Sequence, residues 1–241
     1  MSDKRTAREI SDRKAATVIG VLYIIGTLAG IAAAVVMPSM SGPDVLANIA
    51  AHRTAAVAGT LLILTMGFAL SALSAVFYPV GRRYSEVLSM GYVIFRGALE
   101  GMLYVVGALI LLLLVALSAT PSAASPVAAA LQSAYGVIWD QLLALPFLIG
   151  ASMFYWVLFR ARLVPGWITV WGLVGAVLYL AAPLARMAGL NLDILMAPLA
   201  LQEMVLAVWL IVKGFSPDAL TSVDRQLQAA PRQLDASWVV V

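Results

Sequence analysis

The sequence predicts an all-α protein, a polytopic bundle of about six transmembrane helices. Three observations carry this. Hydrophobic residues make up 63% of the chain and charged residues 11%, with a mean hydropathy of +0.97. Soluble domains carry about a quarter charged residues and just under half apolar ones. The apolar residues form unbroken runs of membrane-spanning length, and the basic residues fall in clusters that alternate between the two sides of those runs.

A helix rises 1.5 Å per residue and needs about 20 apolar residues to cross the hydrocarbon core. The first run that meets this is Ala15–Met37, stopped by Pro38. The basic stretch Met1–Lys14 ahead of it has the outline of a signal peptide, but the run far exceeds an h-region of roughly 7–15 residues. It reads as a retained first span, with Ala32, Ala33 and Ala34 leaving a cleavage site as the alternative. The second run is Ala55–Val80, ending at Gly81-Arg82-Arg83, and the third is Val87–Leu117, ending in the Ser/Ala/Thr/Pro stretch from Ser118 to Pro126. The fourth, Val127–Phe159, is too long for one perpendicular span; an interfacial start before Tyr135 and a kink at Pro146 are expected. The fifth, Trp167–Ala185, follows Val164-Pro165-Gly166, and the sixth is Leu192–Val212. Barrel strands would alternate in polarity and open sheet would leave backbone groups unpaired in lipid, so helices are the reading.

Basic residues set the orientation. With the N-terminus inside, the cytoplasmic side receives Lys4, Arg5, Arg8, Arg13, Lys14, Arg82, Arg83, Arg160, Arg162 and Lys213, joined by Arg225 and Arg232 of the tail. The outer side receives Arg53 and Arg186. The chain thus divides into a cytoplasmic basic segment 1–14, a six-helix domain 15–213 and a cytoplasmic tail 214–241. In the tail a short helix over Ala219–Ala230 is expected, and Trp238–Val241 is too short to span. The net charge of +3 is therefore an orientation signal in a cell-membrane protein rather than a nucleic-acid footprint.

Ionisable residues at membrane depth are the informative ones, because a charge at a helix centre costs about 2.5–3.5 kcal/mol on insertion scales. The candidates are Arg96, Glu100, Asp140 and Glu203. Arg96 and Glu100 are four apart and share one helix face, flanked by the small residues Gly97 and Gly101. Arg96 lies ten residues after Glu86, and Glu203 ten before Lys213, so both sit roughly 15 Å from the same side. An interhelical Arg96–Glu203 pair completed by Glu100 follows. It serves either to neutralise the guanidinium and fix helix packing or to bind a ligand, proton or ion. Asp140 falls near the outer interface, solvated at the rim or at the mouth of a cavity leading to Glu100. Gln202 adds hydrogen-bonding capacity but faces another direction from Glu203.

Other residues have plainer readings. His52 is a solvated loop histidine; Trp156, Trp167, Trp171 and Trp209 form an aromatic belt. Gly26 and Gly30 repeat the close-packing spacing in the first helix and read as packing positions; a partner-binding subunit would instead expose such a small-residue face. Met66, Met90, Met102, Met153 and Met196 are apolar filler.

The absence of cysteine and the single histidine exclude thiolate chemistry, cysteine-ligated metals and two-histidine sites within one chain. Phosphate-binding loops, nucleophile elbows and zinc-protease helices are absent too. No cofactor or metal is expected, and only a carboxylate mechanism through Glu100, Asp140 or Glu203 leaves room for an enzyme.

Several short motifs resemble one family. These are Ile19-Gly20-Val21-Leu22-Tyr23-Ile24-Ile25-Gly26-Thr27 after the basic lead, Phe77-Tyr78-Pro79-Val80, and Phe95-Arg96-Gly97-Ala98-Leu99-Glu100-Gly101. Pro165-Gly166-Trp167, Pro198, Glu203 and Lys213-Gly214-Phe215 continue the pattern. Over Arg13 to Phe215 the chain resembles the bacterial integral-membrane family called "domain of unknown function 4386". The resemblance implies a multi-helix membrane protein and no particular activity. Two functions remain open on these grounds. The chain binds or transports a small or lipid-like molecule through the polar cluster, or it is a structural or partner-binding subunit whose buried charges lock the helices.

Overall fold

The computed structural model describes residues 2–40, 42, 44–119 and 125–222. Six helices are long and apolar enough to cross a membrane: Ile10–Val36, Arg53–Gly81, Glu86–Leu117, Pro126–Arg160, Gly166–Arg186 and Asp193–Val212. They are called the first to sixth spans below. At most 56% of the most apolar window of any span is buried. Large apolar side chains such as Leu28, Leu61, Phe68, Leu109, Val177 and Leu201 therefore face outward, where lipid accounts for them. The protein is a polytopic membrane helix bundle.

Each span packs on the next, and the first closes against the sixth, so the spans form a ring. Small residues set the closest approaches. A Cβ on Gly20 would fall 2.5 Å from the carbonyl oxygen of Ala207, which brings the first and sixth spans into backbone contact. Gly26 and Gly30 meet Leu70 and Met66 of the second span. The close-packing face expected of these two glycines is thus used inside the bundle, and it is not left open to a partner subunit. Met66 and Met153 fill the space beside Gly30 and Gly91, as filler should.

The span limits agree with the apolar runs to within a few residues, but the helix interiors differ. The first helix begins at Ser2, so the basic lead continues it rather than standing apart. A further short helix, Val45–Ala51, lies in the connection between the first and second spans; Asn48 Nδ2 donates to Ser39 O at 2.9 Å, and exposed His52 follows it. Two spans contain π-helical turns, Val93–Leu99 in the third and Ile138–Leu142 in the fourth. The expected break at Pro146 is displaced to that second turn. A proline ring excludes the carbonyl four residues back, here Leu142, and lacks the N–H that would bond it. The chain meets this with a wider turn, in which Leu143 N donates to Ile138 O at 3.0 Å. Pro126–Arg160 is one continuous span, with no separate interfacial helix before Tyr135.

The two ends close differently. At the end carrying Arg83, called the basic end, Arg83 forms a two-pronged pair with Asp12 at 2.6 and 2.8 Å, both side chains nearly buried. Arg13 donates to Ile211 O and Val212 O at 2.7 and 3.0 Å, placing a cation on the carbonyl end of the sixth span. At the opposite end Arg53 donates to Val115 O, and Gln132 to Met40 O. A helical turn over residues 217–222 starts the tail two residues earlier than expected. The rest of the Ala219–Ala230 helix and Trp238–Val241 lie outside the described residues.

Ring closure through Gly20 is testable. Gly20→Val drives a branched side chain into Ala207 O, and a loss of about 1–3 kcal/mol is expected in detergent unfolding. Gly166→Val, at a position with open space around it, should leave the unfolding midpoint within about 0.5 kcal/mol.

Candidate functional site

The site is built on the π-turn of the third span. A π-turn inserts one residue into the helical ladder and leaves a carbonyl out of register. Ser71 of the second span meets that need, its hydroxyl donating to Gly97 O at 2.9 Å, while Ser74 donates to Ser71 O at 2.7 Å. Gly97 and Gly101 leave no room for a Cβ beside these two serines. On the other flank Gly150 of the fourth span lies against the Arg96 backbone, where a Cβ would come within 3.1 Å of its nitrogen. Arg96 is thus gripped from two sides and its side chain points into the ring.

There the guanidinium meets two carboxylates. Nη1 donates to both oxygens of Glu100 at 3.2 and 3.1 Å, and Nη2 to Glu203 Oε1 at 3.4 Å. Tyr104 donates its hydroxyl to Glu100 Oε1 at 3.2 Å. The Phe147 ring covers the cation, with its centroid 4.5 Å from Cζ, a cation–π distance. The Arg96 and Glu100 side chains are 3% and 2% exposed, while Glu203 keeps 13%. Three of the four sequence candidates therefore come together. The emphasis is the reverse of the expected one, since the neighbour on the same helix is the closer partner and the interhelical contact is the longer.

Aromatic rings wall the cluster off towards the basic end. Phe154 stacks on Tyr92 at 4.8 Å and meets Phe77 edge-on at 4.8 Å, with Tyr23 at 6.4 Å. Gln202, next to Glu203, turns away as expected. It accepts from Tyr155 at 2.8 Å and donates to Ile168 O at 3.0 Å, tying the fourth, fifth and sixth spans. The hydroxyls of Tyr92 and Ser89 are buried and make no hydrogen bond of good geometry among the described residues.

Asp140 is not brought to the cluster. It sits in the π-turn of the fourth span, half exposed, and accepts from Arg186 Nη1 at 2.6 Å. Arg186 also donates through Nε to Asp193 at 2.8 Å. The result is an exposed ion triad at the rim opposite the basic end, worth little to stability. Among the described residues no group of three or more histidine or acidic side chains is placed to hold a metal ion.

Sequence reasoning missed Tyr104, Ser71, Phe147 and the Asp12–Arg83 pair. Tyr104 lies four residues beyond Glu100, so its position on that face was available from helical spacing. The others depend on which helices become neighbours, which one sequence does not state.

A family model described as domain of unknown function 4386 matches residues 18–214. The chain belongs to that family. The matched stretch contains Arg96, Glu100, Asp140 and Glu203, whereas Asp12 and Arg13 precede it. Neither the curated proteins nor the solved structures offer a significant match.

Removing one member of a buried ion pair leaves the other charge uncompensated, at a cost of about 3–5 kcal/mol. Arg96→Ala should destabilise the fold by that amount in unfolding from mixed micelles. In a double-mutant cycle Arg96 and Glu100 should couple by about 0.5–3 kcal/mol, more strongly than Arg96 and Glu203.

Proposed function

We propose that this family member is a non-enzymatic multi-pass protein of the bacterial cell membrane, with both termini cytoplasmic. In this reading it acts as a structural or partner-binding subunit, and the Arg96 cluster is a packing lock. The observation that carries it is the engagement of the guanidinium within the chain. Two carboxylates take its N–H groups, and Phe147 covers its face. Such a group has little capacity left for an anionic ligand. The cavities found at the surface, lined by Arg160 and Lys213 in one case and by Arg53 and Leu61 in another, lie away from it.

The orientation rests on the positive-inside rule. Arg13, Arg82, Arg83, Arg160, Arg162 and Lys213 gather at one end, against Arg53 and Arg186 at the other. A reporter active only in the cytoplasm, fused after residue 222, should be active. The same reporter inserted in the 38–44 connection should be silent. The reverse pattern overturns the orientation.

One observation favours a second reading. The cluster carries one formal positive charge against two negative ones, and only Oε1 of Glu203 is hydrogen-bonded among the described residues. A lock needs only one carboxylate. The surplus one suits a site that takes up a proton, a cation or the polar end of a lipid-like molecule. Thermal unfolding across a lipid and metabolite library separates the two. Under the lock reading no compound raises the midpoint through the cluster, and Arg96→Met/Glu100→Gln/Glu203→Gln still folds. A compound that stabilises the native protein but not a folded Glu203→Gln variant establishes the second reading and removes the first.

A further inference from the structure

At the basic end, the loop joining the fourth and fifth spans faces the end of the sixth span across a cavity of about 790 Å³. That lies within the range of small-molecule sites, about 300–1,000 Å³. Arg160, Arg162 and Lys213 line it, no acidic residue among the described ones does, and Phe159, Trp209 and Phe215 supply an apolar wall. We propose that this cavity binds the phosphate headgroup of an anionic phospholipid from the adjoining leaflet.

The charge pattern is the first argument. Arg13, Arg53, Arg83, Arg96 and Arg186 are each engaged by a carbonyl or a carboxylate. Arg160, Arg162 and Lys213 form no ion pair with a described carboxylate; Asp218 borders a neighbouring cavity that shares Arg160 and Arg162. Three cations converge on one concave surface with no ion-pair partner among the described residues, which is what a phosphodiester requires.

The backbone is the second. Arg162 has φ +51°, the one non-glycine residue in the left-handed region among the described residues. It occupies the turn that ends the fourth span, where Leu163 N bonds back to Leu158 O and Arg162 N to Phe159 O. Glycine is the usual occupant of such a turn, and another residue held there costs on the order of 1 kcal/mol. Stability alone would favour glycine. An arginine kept there, at the cavity wall, fits a role for its guanidinium.

The fifth span adds a weaker contribution. It starts at Gly166 on the cavity wall, and Pro165 before it gives no side-chain cap, so the positive end of a 22-residue helix opens there. The apolar wall decides between a lipid and a soluble phosphate. Phe159 and Trp167 are exposed on the outer surface beside the cavity, where acyl chains run.

The test uses the full chain in phosphatidylcholine nanodiscs containing a graded fraction of phosphatidylglycerol, with retained lipid counted by native mass spectrometry. Saturable retention of phosphatidylglycerol is expected. Arg162→Gly suits the backbone, so it should leave the unfolding midpoint in pure phosphatidylcholine equal or higher while weakening retention about fivefold, the effect of one basic residue. Arg82→Gln removes a cation at the same end but outside the cavity and should leave retention unchanged. Unaltered retention in Arg162→Gly overturns the proposal. An equal loss in Arg82→Gln also overturns it, because attraction would then be general to that surface. Saturable displacement of the lipid by millimolar glycerol phosphate or inorganic phosphate would assign the site to a soluble phosphate and overturn the lipid assignment.

Discussion

A guanidinium placed ten residues into a membrane helix cannot be hydrated where it stands, and it cannot lose its charge. Its neutralisation has to come from the chain, and the geometry of the bundle follows from that requirement. Arg96 needs acceptors at its own depth, and the third and sixth spans supply them. It needs a helix that aims it inward, which the π-turn over Val93–Leu99 provides, and a hydroxyl for the carbonyl that this turn displaces, which Ser71 provides. It also needs neighbours thin enough to approach, hence Gly97, Gly101 and Gly150. A single charge thus makes demands on four of the six spans.

The spans were legible because their signal is solvent-scale: runs of apolar residues longer than the bilayer is thick. The depth match of Arg96 and Glu203 was legible for a related reason, since rise per residue converts sequence position into height once topology is set. Both π-turns escaped that reasoning, although each holds one of the ionisable residues singled out beforehand, Arg96 and Asp140. A π-turn is a compromise between a helix and its neighbours, and a single sequence shows only the helix. Pro146 pointed to a break in the right span, with its position shifted upstream to where the excluded carbonyl lies. Gly26 and Gly30 were read as a packing face, but glycine spacing states that something approaches closely without saying what, and the second span had to be seen to be named.

The two rims carry different kinds of polar contact. At one, Asp12–Arg83 and the Arg13 cap on the sixth span join segments far apart in sequence, the first pair nearly buried and the second exposed. At the other, Asp140, Arg186 and Asp193 pair in the open, where water screens them. These contacts tie the first helix to the turn after the second span and to the sixth span, at the end where the charged loops gather.

The order in which Arg96 gains its partners also bears on how the protein is made. Spans enter the membrane from the N-terminus onward, and Glu203 belongs to the last of them. Glu100 lies one turn from Arg96 on the same helix and takes both of its bonds to Nη1. The third span therefore carries its own counter-ion as it leaves the translocon, and it can wait in lipid as a neutral unit while half the chain is still being synthesised. Glu203 arrives as the second acceptor when the ring shuts, which makes it a marker of completed assembly rather than a condition for insertion.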